Sequence, residues 1–336
     1  RINRIMSKFQ INSITGKDNL RGTSFVGVTT VSSTGSMRIP SGPTENRGGR
    51  GRGVFGSGAT PTATNVLDMI EIATTGDAVD FGDDIHARQE GYASFASATR
   101  GCFAGGQTPT FLTNIAYVTT SSQGGANDFG DLQTAQTRNV GLSDSTRGIS
   151  AGGGDPVQTA GIEFVTISTT GDANNFGNLT QARAGAGACA SPTRGLIGGG
   201  NPNTNIIDYI TIQTGGSAED FGDLTDDPNH LAGCSNSIRG LFGGGQNPSN
   251  VDVIAYVTIA TFGNAIDFGN LSAAKDYLGA CASATRGVFG GGQSPTKLNV
   301  IEYVTISTTG DVTNFGDLTV ARRFCMGLSD VHGGLS

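Results

Sequence analysis

One unit recurs six times along the chain, and its regular spacing limits what the chain can fold into. Successive Phe-Gly pairs are separated by 48, 47, 45, 47 and 47 residues, and an Arg-Gly pair recurs on nearly the same period. The members of these pairs are Phe81, Phe129, Phe176, Phe221, Phe268 and Phe315, and Arg52, Arg100, Arg147, Arg194, Arg239 and Arg286. A fixed period between about 20 and 50 residues predicts a repeat architecture in which each copy packs on its neighbours.

Each copy has the pattern of short β-strands. The copies are rich in Gly, Thr, Val and Ile and lack a helical period of apolar residues, which excludes a helical repeat. In the last copy we predict four strands, at residues 279–283, 288–290, 300–307 and 315–318, because Gly, Pro, Asn and Asp clusters separate them. The third strand has apolar side chains on both faces and must be packed on both sides. Blades stacked around an axis meet that requirement.

The order of features within a copy resembles the kelch repeat. The second strand ends in a Gly doublet, the third carries a central Tyr in most copies, and the fourth carries an aromatic residue followed by Leu. The doublets are Gly105-Gly106, Gly153-Gly154, Gly199-Gly200, Gly244-Gly245 and Gly291-Gly292, with Gly56-Ser57-Gly58 in the first copy. The chain has no Trp, so the Phe of the Phe-Gly pair stands where kelch repeats have Trp. The resemblance implies an all-β, kelch-like β-propeller.

The number of strands indicates how the ring closes. Six copies of strands two to four begin near residues 52, 100, 147, 194, 239 and 286. A first strand precedes only the last five of these copies, and one more such strand follows at residues 325–330. We therefore predict a six-bladed β-propeller over residues 52–336, in which the C-terminal strand completes the first blade and leaves no open sheet edge.

The charge distribution separates a basic N-terminal arm from an acidic remainder. Residues 1–52 contain nine Lys or Arg and two acidic residues, whereas the other 284 residues contain 12 basic and 26 acidic ones. We predict an extended N-terminal arm, residues 1–51, that anchors the protein on a partner. Residues 25–31 and 37–39 flank Ser33-Thr34-Gly35 and predict a β-hairpin within the arm, which another chain would complete.

The arm and the blades together resemble virion structural proteins of tailed phages, especially those that infect marine cyanobacteria. The arm sequence INSITGKD and the blade sequences TRGLFGGG, IEYVTISTTG and DFGDLT carry this resemblance. It implies a virion protein that is made in the host cytoplasm, belongs to a homo-oligomeric assembly and contacts other virion proteins through residues 1–51. A propeller head on a tail, fibre or head appendage would bind host-surface glycan or protein. A capsid-decorating component is the alternative, and a glycan-degrading propeller enzyme is a second one.

The loops between strands two and three are the candidate binding residues. Each contains a Pro that stiffens it, while the neighbouring polar residues differ between copies. The candidates are Gln107, Pro109, Asp155, Pro156, Asn201, Pro202, Gln246, Pro248, Gln293 and Pro295. The loops between strand four and the next strand one should reach the same face. Stiff polar loops on a rigid ring suit shallow recognition of a glycan or a protein.

The repeated residues are expected to be structural. Six arginines on one face could form an anion site, but each lies in the same tight turn. We therefore expect Arg100, Arg147, Arg194, Arg239 and Arg286 to bind a carbonyl oxygen or an Asp such as Asp83 or Asp131. The Asp pairs beside Phe-Gly could bind Ca²⁺, yet other copies have Asn there, so turn capping is the preferred interpretation.

No motif in the sequence predicts catalysis, a metal site or a cofactor. His86, His230 and His332 occur in different repeat contexts, and the Gly runs end strands instead of opening helices. The segment from Arg47 to Arg52 resembles an RGG nucleic-acid motif but has no interleaved aromatic residue, so nucleic-acid binding is not expected. No stretch is apolar enough for membrane insertion. Five Cys without metal-type spacing predict free thiols, of which Cys189, Cys234 and Cys281 should be buried.

Overall fold

The computed structural model describes residues 51–154 and 157–335, which belong to one compact unit, Gly49–Ser336. The N-terminal arm, residues 1–51, with its hairpin lies outside the described residues except for Gly51, and so do Asp155 and Pro156 of the candidate loops. The described chain is all-β, with a single 3-10 turn at Gly333–Leu335. It forms six four-stranded antiparallel sheets.

The strands follow in chain order as six blades. The first blade contains β1 (Arg52–Ala59), β2 (Ala63–Glu71) and β3 (Val79–Arg88). The second contains β4 (Ala93–Ala96), β5 (Arg100–Ala104), β6 (Leu112–Thr119) and β7 (Asn127–Gln136). The third contains β8 (Val140–Ser143), β9 (Arg147–Ala151), β10 (Gly161–Thr166) and β11 (Asn174–Asn178). The fourth contains β12 (Gly187–Ala190), β13 (Arg194–Gly198), β14 (Ile206–Thr211) and β15 (Glu219–Asp223).

The last two blades and the closing strand complete the ring. The fifth blade contains β16 (Ala232–Ser235), β17 (Arg239–Gly243), β18 (Val253–Thr258) and β19 (Ile266–Asn270). The sixth contains β20 (Gly279–Ala282), β21 (Arg286–Gly290), β24 (Val300–Thr305) and β25 (Thr313–Asp317), with the short hairpin β22 (Gln293–Ser294) and β23 (Thr296–Lys297) in its loop. Strand β26 (Met326–Ser329) pairs antiparallel with β1, as Gly53 opposite Ser329 and Gly56 opposite Met326. The six-bladed β-propeller closed by the C-terminal strand is therefore confirmed.

The six innermost strands surround the axis. Strands β26, β4, β8, β12, β16 and β20 contact one another in that order, and β20 returns to β26. The end of the propeller that carries the turns between strands one and two is called the turn face here. The opposite end, which carries the loops between strands two and three and those between strand four and the next strand one, is called the loop face.

The repeated arginines join each blade to the next one at the turn face. Each Nη1 donates a hydrogen bond of 2.8–3.0 Å to a main-chain oxygen just after the third strand of the following blade. The pairs are Arg52 with Thr120, Arg100 with Ile167, Arg147 with Ile212, Arg194 with Ile259, Arg239 with Ile306, and Arg286 with Ile72. In five blades the guanidinium also lies 4.3–5.0 Å from the aromatic ring of its own third strand.

The expected carbonyl partner of these arginines is thus observed, whereas the expected Asp partner is wrong. Asp83 and Asp131 lie on the outermost strands, where their main-chain oxygens accept bonds from Ala126 and Ala173 of the next blade. The arginine turn lies at the end of the blade, opposite the last carbonyl of the neighbouring third strand. The guanidinium therefore meets a main-chain oxygen before any carboxylate.

The glycine after each arginine receives a side chain from the preceding blade. A Cβ atom on Gly148 would lie 2.1 Å from Cδ2 of Phe95, and one on Gly240 would lie 2.4 Å from Sγ of Cys189. Leu142, Cys234, Cys281 and Leu328 meet the equivalent glycines, Gly195, Gly287, Gly53 and Gly101. Cys189, Cys234 and Cys281 therefore fill contacts between blades and are buried, as expected. All five Cys are free thiols, also as expected, and Cys102 and Cys325 are buried as well.

The Phe-Gly pairs form a second set of contacts between blades. Each Phe side chain is buried, with 2–5% of its surface exposed, and its main-chain oxygen accepts a bond from a glycine in the next blade at 2.7–3.1 Å. That glycine lies against the Gly of the pair, where an added Cβ would come within 2.6 Å of main-chain atoms. The partner glycines are Gly124, Gly171, Gly216, Gly263, Gly310 and Gly76.

Buried ion pairs lie inside four blade junctions, and the sequence pattern did not reveal them. Arg183 binds Asp208 at 2.7 Å, Arg322 binds Asp68 at 2.8 Å, and both pairs are fully buried. Lys275 with Glu302 and Arg88 with Asp84, each at 2.6 Å, are equally enclosed. Arg183, Lys275 and Arg322 lie in loops between strand four and the next strand one, and each partner lies in the third strand of the following blade. These three pairs hold the loops to the sheets, whereas Arg88 and Asp84 both belong to β3.

The axis is closed on the turn face by a short segment. His332 Nε2 donates to the Ala96 oxygen at 2.8 Å, while its Nδ1 accepts from the Gly334 amide at 3.1 Å. Burial lowers the pKa of His332, which favours the neutral ring that this bonding pattern requires. A cavity of about 60 Å³ lies along the axis beneath it, lined mostly by Ala, Ser, Gly and Cys.

Substitutions at two glycines of the third blade test whether close packing between blades requires the absence of a Cβ atom. Gly148→Ala should lower the free energy of unfolding by about 1–3 kcal/mol, because its Cβ would overlap the Phe95 ring. Gly161→Ala is the matched control, since its Cβ would find only Thr159 Oγ1 at 3.5 Å, and it should change stability by less than about 0.5 kcal/mol. Denaturant unfolding measures both. Equal stabilities would contradict the packing argument.

Candidate functional site

The two sets of variable loops meet on the loop face. The main chain of Gln107 exchanges bonds with Gln89, and Gln246 exchanges bonds with Asn229. Asn201 pairs with Ala184 and Gln293 with Asp276 in the same way. The side chains of these four candidates are half-buried, whereas Pro109, Pro202, Pro248 and Pro295 are exposed at the loop tips. The polar candidates therefore support the loops, and the prolines form the outer rim.

Nearer the axis, the loop face contains a ring of six equivalent residues. They lie two positions before each innermost strand, and we call them the axial mouth: Gly91, Arg138, Gly185, His230, Tyr277 and Phe324. All six have left-handed backbone conformations, with φ between 56° and 73°. Main-chain bonds of 2.7–3.1 Å link each residue to the next, from Gly91 through to Phe324. The ring is therefore built by the backbone, which leaves the side chains free to differ.

Aromatic rings form one side of the axial mouth. The rings of His230 and Tyr277 lie 4.2 Å apart, and those of Tyr277 and Phe324 lie 4.1 Å apart. The guanidinium of Arg323 lies 4.7 Å from the Phe324 ring and 5.5 Å from the Tyr277 ring. Its Nη1 donates to Gln293 Oε1 at 3.1 Å, which connects the mouth to one of the candidate loop residues.

Charged groups form the other side of the axial mouth. Arg138 forms an ion pair of 2.5 Å with Glu90, and both side chains are about one fifth exposed. A cavity of about 40 Å³ lies between this pair and the aromatic side. Its wall includes Arg138, His230, Tyr277 and Phe324. The mouth therefore combines an aromatic surface with a charged group at one opening.

His230 is neutral in this environment. Burial, together with the positive charges of Arg138 and Arg323, lowers its pKa to about 3. Neither ring nitrogen has a hydrogen-bond partner among the described residues. A buried polar atom without a partner is unusual in a folded protein and calls for an explanation.

Four residues of the axial mouth adopt a left-handed backbone conformation that is unfavourable for any residue other than glycine. A non-Gly residue in the left-handed region costs roughly 1–2 kcal/mol, and such strain concentrates at functional sites. Two of the six copies have Gly at this position, as the conformation favours. Arg138, His230, Tyr277 and Phe324 nevertheless carry large side chains there.

Sequence reasoning missed the residues of the axial mouth. One signal was present in the sequence: aligned on the repeat, this position has five different residue types, whereas the Arg and Phe positions have one each. Their left-handed conformation and their meeting around the axis depend on ring closure, which the sequence pattern alone did not locate.

The histidines do not come together. His86 lies in β3, His230 at the axial mouth, and His332 at the turn face. Among the residues that the structure describes, no cluster of three or more His, Cys, Asp or Glu could hold a metal ion. The same part of the chain has no helix of the length and hydrophobicity needed to cross a lipid bilayer.

Comparison with known proteins does not assign the chain to a family. No family model matches the chain, and no curated protein is detectably similar to it in sequence. The arguments about function therefore depend on the residues of the loop face.

Asp276, beside the axial mouth, should make stability depend on pH. Burial raises its pKa to about 6, although a 3.3 Å bond from Asn250 Nδ2 and the charge of Arg323 act in the opposite direction. A raised carboxyl pKa means that its contribution to stability is full below the unfolded pKa of about 3.9 and is lost as the pH rises through about 6.

The variant Asp276→Asn should therefore match the wild type near pH 4 and exceed its free energy of unfolding by about 1–2 kcal/mol at pH 7. Thermal unfolding at a series of pH values measures the difference. Asp267→Asn is the control, because Asp267 is exposed on β19, and its curve should follow that of the wild type. A constant offset between Asp276→Asn and the wild type would contradict the titration.

Proposed function

We propose that this protein is a non-enzymatic recognition module, displayed on a phage particle, that contacts its target through the loop face. The repeat supplies a rigid ring, and the Pro-bearing loops and the axial mouth supply the contact. The target is a host-surface glycan or protein, and the location is the virion. Rigid, largely preformed surfaces lose little conformational entropy on binding, which suits a shallow site.

The observation that carries the proposal is the contrast between the two faces. At the turn face, six arginines make the same bond to the next blade. At the loop face, the axial mouth carries Gly, Arg, His, Tyr and Phe at equivalent positions. All six positions have a backbone conformation that favours glycine, yet four of them carry large side chains. Packing explains the repeated residues but not the diverse ones, so recognition is the better explanation for the axial mouth.

The virion location and the basic arm are part of the same proposal. They are supported by the resemblance of the sequence to phage structural proteins and by the charge contrast between residues 1–52 and the rest. A basic arm attached to an acidic propeller suits docking on an acidic neighbour in a homo-oligomeric assembly.

A capsid-decorating role is the second candidate, and one observation favours it. In the fifth blade two large apolar side chains are exposed on the turn face, Ile238 at 62% and Phe262 at 58%. The equivalent of Ile238 is Thr99, Thr146, Thr193 and Thr285 in four other copies. Such apolar residues would suit a contact with a neighbouring subunit.

Exchanging single residues on the two faces tests the recognition role. Arg138→Gly introduces the residue that the fourth blade has at Gly185, and it should abolish retention of labelled protein on host cells. Its free energy of unfolding should change by less than about 1 kcal/mol, since relief of backbone strain offsets loss of the pair with Glu90. Ile238→Thr, the matched control on the turn face, should leave retention unchanged. The reverse pattern, in which Ile238→Thr fails to join particles and Arg138→Gly binds normally, would favour the decorating role.

Deletion of residues 1–50 tests the anchor. The truncated chain should still fold, because β1 to β26 form a closed ring without those residues. It should fail to join particles in a complementation assay, where the full chain serves as the control. Normal incorporation of the truncated chain would show that the arm is not the anchor.

A further inference from the structure

The third blade contains a buried carboxylate without the cation that accompanies it in three other blades. Glu163 lies on β10 with 7% of its surface exposed. Carboxylates occupy the equivalent position in the first, fourth and sixth blades, where Arg322, Arg183 and Lys275 bind them at 2.6–2.8 Å. Beside the third blade Gln136 takes the place of the cation, and it is also buried, with 4% of its surface exposed. The junction between the second and third blades therefore keeps the acidic member of the pair and lacks the basic one.

The buried carboxylates of the third and sixth blades accept the same main-chain bond. The Gln133 amide donates to Glu163 Oε1 at 3.0 Å, as the Ser272 amide donates to Glu302 Oε1 at 3.2 Å. Gln136 therefore faces Glu163 from the position that holds the lysine in the sixth blade. Its Oε1 atom is buried and has no hydrogen-bond partner among the described residues. An amide oxygen and an ionised carboxylate are both acceptors, so a hydrogen bond between them requires a proton on the carboxyl group.

No charged side chain in the described part of the chain offsets the charge of Glu163. Its neighbours across the sheet are Ser150 on β9 and Asn175 on β11, which are both neutral. Burial raises the pKa of Glu163, and the bond from the Gln133 amide acts in the opposite direction. Protonation is therefore the neutralisation that these residues allow. The charged residues on the elements packed around Glu163 have other partners or face solvent: Arg100 and Arg147 bind main-chain oxygens, Arg138 pairs with Glu90, Arg183 pairs with Asp208, and Asp128, Asp131 and Asp172 are exposed.

We propose that protonation of Glu163 holds the loop between β7 and β8, residues 137–139, against the third blade, and that its ionisation loosens this loop. The protonated carboxyl group donates to Oε1 of Gln136, the residue that precedes the loop. At higher pH the buried negative charge has no counterion, and the contact weakens. The loop carries Arg138 of the axial mouth and is joined to the third blade by the bond from the Gly154 amide to the Thr137 oxygen at 2.8 Å. The Arg138 side of the axial mouth is therefore pH-sensitive, whether or not the loop face binds a host.

Thermal unfolding of the full chain between pH 4 and pH 8 tests the titration. A carboxyl group whose pKa is raised contributes fully to stability below its unfolded pKa of about 4.3 and loses that contribution as the pH rises through its folded value. Glu163→Gln, a neutral analogue of the protonated form, should match the wild type near pH 4 and unfold about 2–4 °C higher at pH 8. Asp276 titrates in both proteins, so its contribution cancels.

A second set of variants supplies the missing cation. Gln136→Lys reproduces the pair of the sixth blade and should raise the unfolding temperature at pH 8 by about 2–4 °C. Combined with Glu163→Gln, the same lysine should lower the unfolding temperature, because a buried ammonium group then lacks a counterion. Gln133→Lys is the matched control, since the Gln133 side chain is exposed, and it should shift the unfolding temperature by less than about 1 °C.

Hydrogen exchange shows whether the effect is local to the loop. After correction for the intrinsic pH dependence of exchange, protection of the Gly154 amide in the wild type should fall at least about threefold between pH 5 and pH 8. It should stay constant in Glu163→Gln. The Gly200 amide is the control, because it bonds the Pro228 oxygen at 3.0 Å at a junction without this carboxylate, and its protection should not change with pH in either protein.

Several outcomes would overturn the inference. Parallel unfolding curves of Glu163→Gln and the wild type, or an equal effect of Gln136→Lys with and without Glu163, would show that this carboxyl group does not titrate in the folded protein. Unchanged protection of the Gly154 amide in the wild type would show that the loop does not respond. If potassium chloride removes the pH dependence and tetramethylammonium chloride at the same concentration does not, a bound cation and not a proton neutralises Glu163.

Discussion

The structure depends on contacts that each blade makes with the next one. A single four-stranded blade has two apolar faces and cannot bury either of them alone. The arginine bonds, the side chains that enter the Arg-Gly glycines and the Phe-Gly contacts all run from one blade to its neighbour. Because each blade is packed on the next one, the sixth blade must in turn pack on the first. Pairing of β26 with β1, together with the bond from Arg286 to Ile72, supplies that closure.

This arrangement fixes residues at the blade junctions and leaves the loop face variable. The buried charges show that even junction residues can change when their partners change. Arg183 faces Asp208 and Lys275 faces Glu302, whereas the fifth blade has Pro228 and Ala255 at the equivalent positions and needs no charge there. Removing one member alone would leave a buried charge without its partner, which is strongly unfavourable. Both partners are replaced together at this junction, whereas the third blade keeps the buried Glu163 with Gln136 at the position of the cation. The residues of the axial mouth differ singly.

The sequence predicted the blades well and the loop-face site poorly, for a physical reason. Strand positions and ring closure follow from local patterns and from the count of first strands, and residues 300–307, for example, contain the observed strand Val300–Thr305. Glu302, however, lies in that strand as a polar residue whose burial depends on Lys275, 27 positions away. Arg138 and Phe324 meet around an axis although 186 residues separate them in the chain. The repeat period and the composition do not predict which side chains distant in the sequence come into contact.

The backbone strain and the charged side chains of the axial mouth are both features that closure of the ring does not require. Glycine would relieve the left-handed conformation, and the third, fifth, sixth and first blades instead place Arg138, His230, Tyr277 and Phe324 there. Arg138 and Arg323 both lie near the neutral imidazole of His230, and Arg138 is paired with Glu90. Neither feature improves the closure of the ring, since Gly91 and Gly185 make the same main-chain bonds. A set of large side chains that opposes the backbone preference, without a role in ring closure, is the observation on which the proposed recognition role of the loop face depends.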